Sequence, residues 1–180
     1  VAAGAGLVAT IGASVTPWYL HIKFVHVAAV MAWSLSTSHA FLFYLVPVVR
    51  EWRRNPTDPD RVRMRNWAME RFDAGVIIEH VAFPIVLITG LLLLTCGIWS
   101  VETGWLVLKL CIVVAIMIPI EIVDYWLSHF GGNKHGLRRR GEHSRYDAMM
   151  HVHWLFLLVS TPLVGIFIPL IIFLAIVKPL

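Results

Sequence analysis

Inside long apolar stretches of this 180-residue chain stand side chains that a bilayer penalises. They are His26, His39, His80, His151 and His153, the carboxylates Glu79, Glu121 and Asp124, and the amines Lys23 and Lys109. A charged group at the centre of a membrane helix costs about 3 kcal/mol or more, so such residues are functional candidates by default. Three chemistries fit these types. A neutral imidazole can ligate a haem iron or another metal through one ring nitrogen. Neighbouring carboxylates can hold or pass a proton. A lysine amine can attract an anionic carboxylate, or its stem can snorkel to the interface.

Spacing sorts them by depth. His26 and His39 are 13 residues apart, which is ~20 Å along a helix axis and about 140° around it. They lie near opposite leaflets and cannot share one metal. The outer layer holds His26, Lys23 and Lys109, with Trp33 one heptad after His26 on the same face. The inner layer holds His39, Glu79, His80, Glu121, Asp124, His151 and His153. His39 matches His80 in depth within about one or two turns, and His153 is shallower. His39 with His80, or with His153, can therefore form a bis-imidazole site between facing helices. The alternative is that each histidine hydrogen-bonds Glu79, Glu121, Asp124 or a backbone carbonyl across the bundle. His151 and His153 are two apart, so at most one faces a given site. Glu121 and Asp124, three apart, share a face with Tyr125 and form a proton-transfer or hydrogen-bond cluster. His21, His129, His135 and His143 read as solvated, interfacial residues.

The elements that must position these groups follow from composition. Hydrophobic residues make up 58% of the chain and charged residues 14%, against about 25% charged in soluble domains. The expected fold is all-α, a polytopic membrane helix bundle with four transmembrane helices in residues 18–180. The spans run over about 18–49, 74–99, 105–130 and 149–177, each longer than the ~20 residues that cross a bilayer. Pro47, Pro84, Pro119, Pro162 and Pro169 kink or end helices. Residues 1–17, "VAAGAGLVATIGASVTP", form an apolar segment of uncertain role: a signal-peptide tail, the end of a further helix or a re-entrant stretch. Cys96 and Cys111 sit in apolar runs with no CxxC, and read as buried hydrophobes.

Charge sets the orientation. The loop "REWRRNPTDPDRVRMRNWAMERFD" carries Arg50, Arg53, Arg54, Arg61, Arg63, Arg65 and Arg71. The loop "GGNKHGLRRRGEHSRYD" carries Lys134, Arg138, Arg139, Arg140 and Arg145, whereas "SVETG" carries no basic residue. By the positive-inside rule both basic loops face the cytoplasm and both termini the other side, in a bacterial inner membrane. Trp18, Trp99 and Trp105 then mark the outer interface, and Trp52 and Trp67 the inner one. The partners expected are the lipid bilayer and other membrane subunits. No nucleic-acid motif is present, and no Walker loop, HExxH or GxSxG identifies a catalytic residue.

The stretches "KFVHVAAVMAW" and "GWLVLKL" resemble those of a superfamily of small polytopic membrane proteins. It includes HemJ-type protoporphyrinogen oxidases and CopD-type copper-resistance proteins. The resemblance covers the first three spans and implies roles for His26 and Lys109 in b-type haem and porphyrin chemistry. After Trp33 this chain has "SLSTSHAF", where the HemJ type turns through glycines into an arginine-containing segment. The expected function is binding of haem b or a related tetrapyrrole, in redox or porphyrin chemistry or electron transfer. His26, His39, His80, His153 and Lys109 are the cofactor-binding candidates, with His39 and His80 on the iron and Glu79, Glu121 and Asp124 as the polar cluster. One alternative is an accessory subunit of a respiratory or photosynthetic complex, carrying (bacterio)chlorophyll or no cofactor. The other is copper transport or resistance, for which Met149 and Met150 beside His151 speak.

Overall fold

The computed structural model describes residues 2–98, 100 and 102–179. Among these residues it contains helices and turns and no strand. In chain order the α-helices are α1 (Ala2–Val15), α2 (Tyr19–Ala40), α3 (Val46–Arg54), α4 (Pro59–Gly75), α5 (Ile77–Thr95), α6 (Gly104–Ile112), α7 (Ile118–His129), α8 (Lys134–Arg139) and α9 (His143–Val177). They join into four helical stretches long and apolar enough to cross a membrane: Ala9–Arg54, Pro59–Thr95, Gly104–Arg139 and His143–Val177. Trp99, expected at the outer interface, lies outside the described residues.

Two joints have one cause. Phe41–Leu45 and Val113–Met117 are single π-helical turns, and each is followed by a proline, Pro47 or Pro119. A proline inside a helix has no N–H for the carbonyl four residues back and crowds it. For Pro47 and Pro119 those carbonyls belong to Phe43 and Ala115, in the middle of each wide turn. The extra residue of a π-turn makes the room. Pro84, Pro162 and Pro169 stay within α5 and α9.

The first basic loop proves to be largely helical. Only residues 55–58 break the helix, where Asn55-Pro56 begins a turn and Asp58 caps α4 by accepting from Asp60 N at 2.9 Å. Pro59 takes the first helical position, where its missing N–H costs nothing. Arg61 closes the turn by donating to the Glu51 carbonyl at 2.9 Å. Arginine and methionine are good helix formers, so the charge of this segment concealed a helix. The N-terminal segment is also helical as α1, and Gly12 packs it against the end of α5. A Cβ there would meet the Thr95 carbonyl oxygen at 2.2 Å.

Apolar packing forms two cores. One gathers Phe41, Leu45, Met69, Phe72, Met150 and Leu157 towards the basic loops. The other gathers Trp33, Phe83, Trp105, Leu106, Met117 and Ile168 towards the opposite end. The buried ionisable residues come from α4, α5, α7, α8 and α9: Asp73, Glu79, His80, Glu121, Asp124, Lys134 and His153. Outward faces carry exposed Phe24, Phe43, Leu91, Val114, Ile166 and Ile176, as contact with lipid requires.

Candidate functional site

The site begins with a lysine that sequence reading assigned to a loop. Lys134 starts α8, yet it is completely buried. The turn "GGN" delivers it. Gly132 passes so close to α7 that a Cβ would lie 2.7 Å from the Leu127 carbonyl oxygen, and Asn133 donates to the Ser128 carbonyl at 2.6 Å. Outside this turn, Glu70 on α4 fastens α8 and α9. It pairs with Arg138 at 2.8 Å and accepts from the Tyr146 hydroxyl at 3.1 Å.

From Lys134 a line of buried groups crosses the bundle. Its Nζ donates to Asp73 Oδ1 at 3.0 Å, to the Leu127 carbonyl at 3.1 Å and to His153 Nδ1. His153 is itself fully buried, and its Nε2 lies 3.0 Å from Asp124 Oδ1. His80 Nε2 lies 3.1 Å from the other oxygen, Oδ2, off the line of a good hydrogen bond. His80 Nδ1 is 2.9 Å from His129 Nε2. Tyr125 packs edge-on against both of these rings. The chemistry assigns the protons. An ammonium can only donate, so His153 Nδ1 accepts and its Nε2 carries the hydrogen that Asp124 receives. If His80 likewise presents Nε2–H to Asp124, its Nδ1 accepts from His129.

A second group lies beside the first. The Trp33 indole donates to Glu121 Oε1 at 2.6 Å, and Ser36 donates to Glu79 Oε2 at 3.5 Å. The Glu79 and Glu121 carboxyls are within hydrogen-bonding reach of each other. Both side chains are buried.

The structure thus brings together Glu79 with Glu121, and Asp124 with His80 and His153. It does not bring His39 to His80. Trp33 and Phe41 turn one side of the first span inward, leaving His39 exposed with its Nδ1 3.0 Å from the Leu35 carbonyl. The second pairing fails too, since both ring nitrogens of His153 are taken. The arrangement does not fit an iron held by two histidines between spans. It does fit single ligation at His39: a carbonyl can only accept, so Nδ1 carries the hydrogen and Nε2 faces outward with its lone pair. Among the described residues no three His, Cys, Asp or Glu side chains converge as a metal site.

In the outer layer His26 Nδ1 meets Thr89 Oγ1 at 2.9 Å. The Thr89 hydroxyl gives its own hydrogen to the Ile85 carbonyl at 2.5 Å, so His26 is the donor. Lys109 is partly buried, Lys23 lies over the Tyr19 ring, and His151 is exposed. Sequence reading missed Asp73, Lys134 and His129. Asp73 precedes the second span by one residue, and Lys134 was counted among solvated loop charges. His129 could have been found, because it follows Tyr125 by four residues on the face of Glu121 and Asp124.

No family model matches the chain, and neither curated proteins nor solved structures give a match.

Proposed function

We propose that the chain is an integral membrane protein whose buried network transfers protons through the half of the bundle next to the basic loops. The observation that carries this reading is the line of ionisable groups in close contact from Asp73 and Lys134 through His153, Asp124 and His80 to His129. His153 has a partner on both ring nitrogens, and His80 has His129 at Nδ1 and an Asp124 oxygen 3.1 Å from Nε2, so a proton arriving at one nitrogen can free the other. The Glu79–Glu121 pair is a proton store beside Asp124, at the middle of the line. In this reading the basic loops lie on the cytoplasmic side, following their arginine content.

The test is proton flux into liposomes containing the protein and a trapped pH-sensitive dye, driven by a potassium diffusion potential. Wild-type vesicles should acidify faster than empty ones, and Asp124→Asn should slow the rate by about tenfold or more. Wild-type vesicles no faster than empty ones would remove the reading.

His39 favours a second, compatible reading. An imidazole turned towards lipid with a free Nε2 is costly unless something covers it. We infer an assembly with other membrane subunits in which His39 supplies one axial ligand to haem b or a related tetrapyrrole. A reduced-minus-oxidised visible spectrum of the protein in mild detergent tests it. The expected b-type α-band should disappear in His39→Ala and persist in His80→Ala.

A further inference from the structure

The two hydrogen-bonded groups stop short of each other, one at Asp124 and the other at Glu79. Between them lies a cavity of about 20 Å³, walled in part by Trp33, Ser38, Glu79, Asp124, Ser160 and Thr161. A water molecule needs roughly 10–15 Å³, so the space admits one and excludes any organic ligand. The rest of the wall is apolar, from Ile120, Phe156, Leu157 and Val164, so the oxygens of the polar residues are the groups that can bind across it. The hydroxyls of Ser38, Ser160 and Thr161 make no hydrogen bond to another described residue. Ser160 is 5% exposed, Thr161 8% and Asp124 3%. Asp124 Oδ2 has no aligned donor. A buried carboxylate oxygen without a partner is rare in folded proteins, and together with three hydroxyls that have no partner among the described residues around one water-sized space it points to a bound water.

We propose that this cavity is a binding site for a single water molecule, which joins the carboxyl pair to the histidine line. The water donates to Asp124 Oδ2 and to a Glu79 oxygen, and it accepts from Ser160 and Thr161. Its two donors and two acceptors are then all used. A cation would find two carboxyls here, but a divalent ion needs six or more oxygens or several retained waters, for which there is no room. The site stands on the cavity and its unpaired hydroxyls. Only its role as the link between store and relay rests on the proton-transfer reading.

The experiment is infrared spectroscopy of the full chain in lipid nanodiscs, in ordinary water and in H₂¹⁸O. The expected result is a sharp O–H stretching band, distinct from bulk water, that shifts with the heavy isotope. It should be lost in Ser160→Leu, which fills the space, and shifted or lost in Thr161→Val, which removes one donor but keeps the shape. Ser34→Ala, on the exposed face of α2, should leave it intact. Thr161→Val serves alone if Ser160→Leu does not fold. The proposal fails if wild type has no ¹⁸O-sensitive band, or if the band is unchanged in a folded variant of either residue. It also fails if sodium, but not potassium or choline, raises the melting temperature saturably, because the occupant is then a cation. Proton flux is read separately. The band without flux keeps the water and removes the relay; flux without the band does the reverse.

Discussion

At the scale of single residues, Lys134 is the most consequential side chain in the molecule. A buried ion pair offsets its desolvation only while both partners are present, and removing one typically costs about 3–5 kcal/mol. Lys134→Met should therefore destabilise the protein by about that amount, read as a lowered thermal midpoint in detergent. It leaves Asp73 and His153 Nδ1 without the donor that now serves both. Lys134→Met combined with Asp73→Leu should recover most of the loss, because two well-packed apolar groups replace a desolvated pair. A double variant no more stable than the single one would show that Asp73 is held independently of the lysine. Trp33 offers a smaller test of the same principle. Trp33→Phe keeps a ring against Phe83 but removes the donor 2.6 Å from Glu121, whose other oxygen already lacks a hydrogen-bond partner. The expected cost is about 1–3 kcal/mol, with Trp33→Leu falling further through lost packing.

At the scale of elements, the sequence was most readable where its signals were local. Long apolar runs marked the four spans. Depth arguments placed His39, Glu79, His80, Glu121, Asp124, His151 and His153 in one layer; the structure buries five of these and leaves His39 and His151 exposed. Which face each residue takes was harder to read. The π-turns at Phe41–Leu45 and Val113–Met117 reset the helical phase by one residue, so an angle counted at 100° per step drifts across them. His26 and His39 both stand in α2 before the first of these turns, so the drift falls on the residues that follow Leu45 and Met117. The charged segments misled for a different reason. An arginine on a helix and an arginine in a loop have the same composition, and Lys134 looks solvated until the "GGN" turn is seen to fold it beneath the bundle. Helix α1 shows how much one position decides. Gly12 permits contact with the Thr95 carbonyl that no larger residue allows. Gly12→Ala should detach α1 from α5 at a cost of about 1–3 kcal/mol. Disulfide trapping between cysteines placed on α1 and α5 should then fall sharply, while the other helices stay assembled.

For the whole molecule, the decisive question is which side of the membrane faces the basic-loop end of the network, where His129 is partly exposed. Only lysine and arginine counts near the spans bear on this, since acidic residues contribute little to orientation. That matters here because the arginines are often neutralised in place: Arg63 pairs with Asp60 at 2.6 Å and Arg138 with Glu70 at 2.8 Å. A net-charge count would underrate both loops. Burial of Lys134 removes one basic group from the second loop's surface, but Arg138, Arg139, Arg140 and Arg145 remain there. Both turns should therefore share the cytoplasmic side, with the short loop at Glu102 opposite. In a Cys96→Ser, Cys111→Ser background, exposed single cysteines at Thr57→Cys, Arg139→Cys and Glu102→Cys report this directly. A membrane-impermeant maleimide added to inside-out vesicles should label the first two and spare the third, and right-side-out vesicles should give the reverse. Labelling of the Thr57 and Arg139 positions from opposite sides would break the four-span topology itself. A shared side with inverted orientation would keep the topology and open the relay towards the cell exterior.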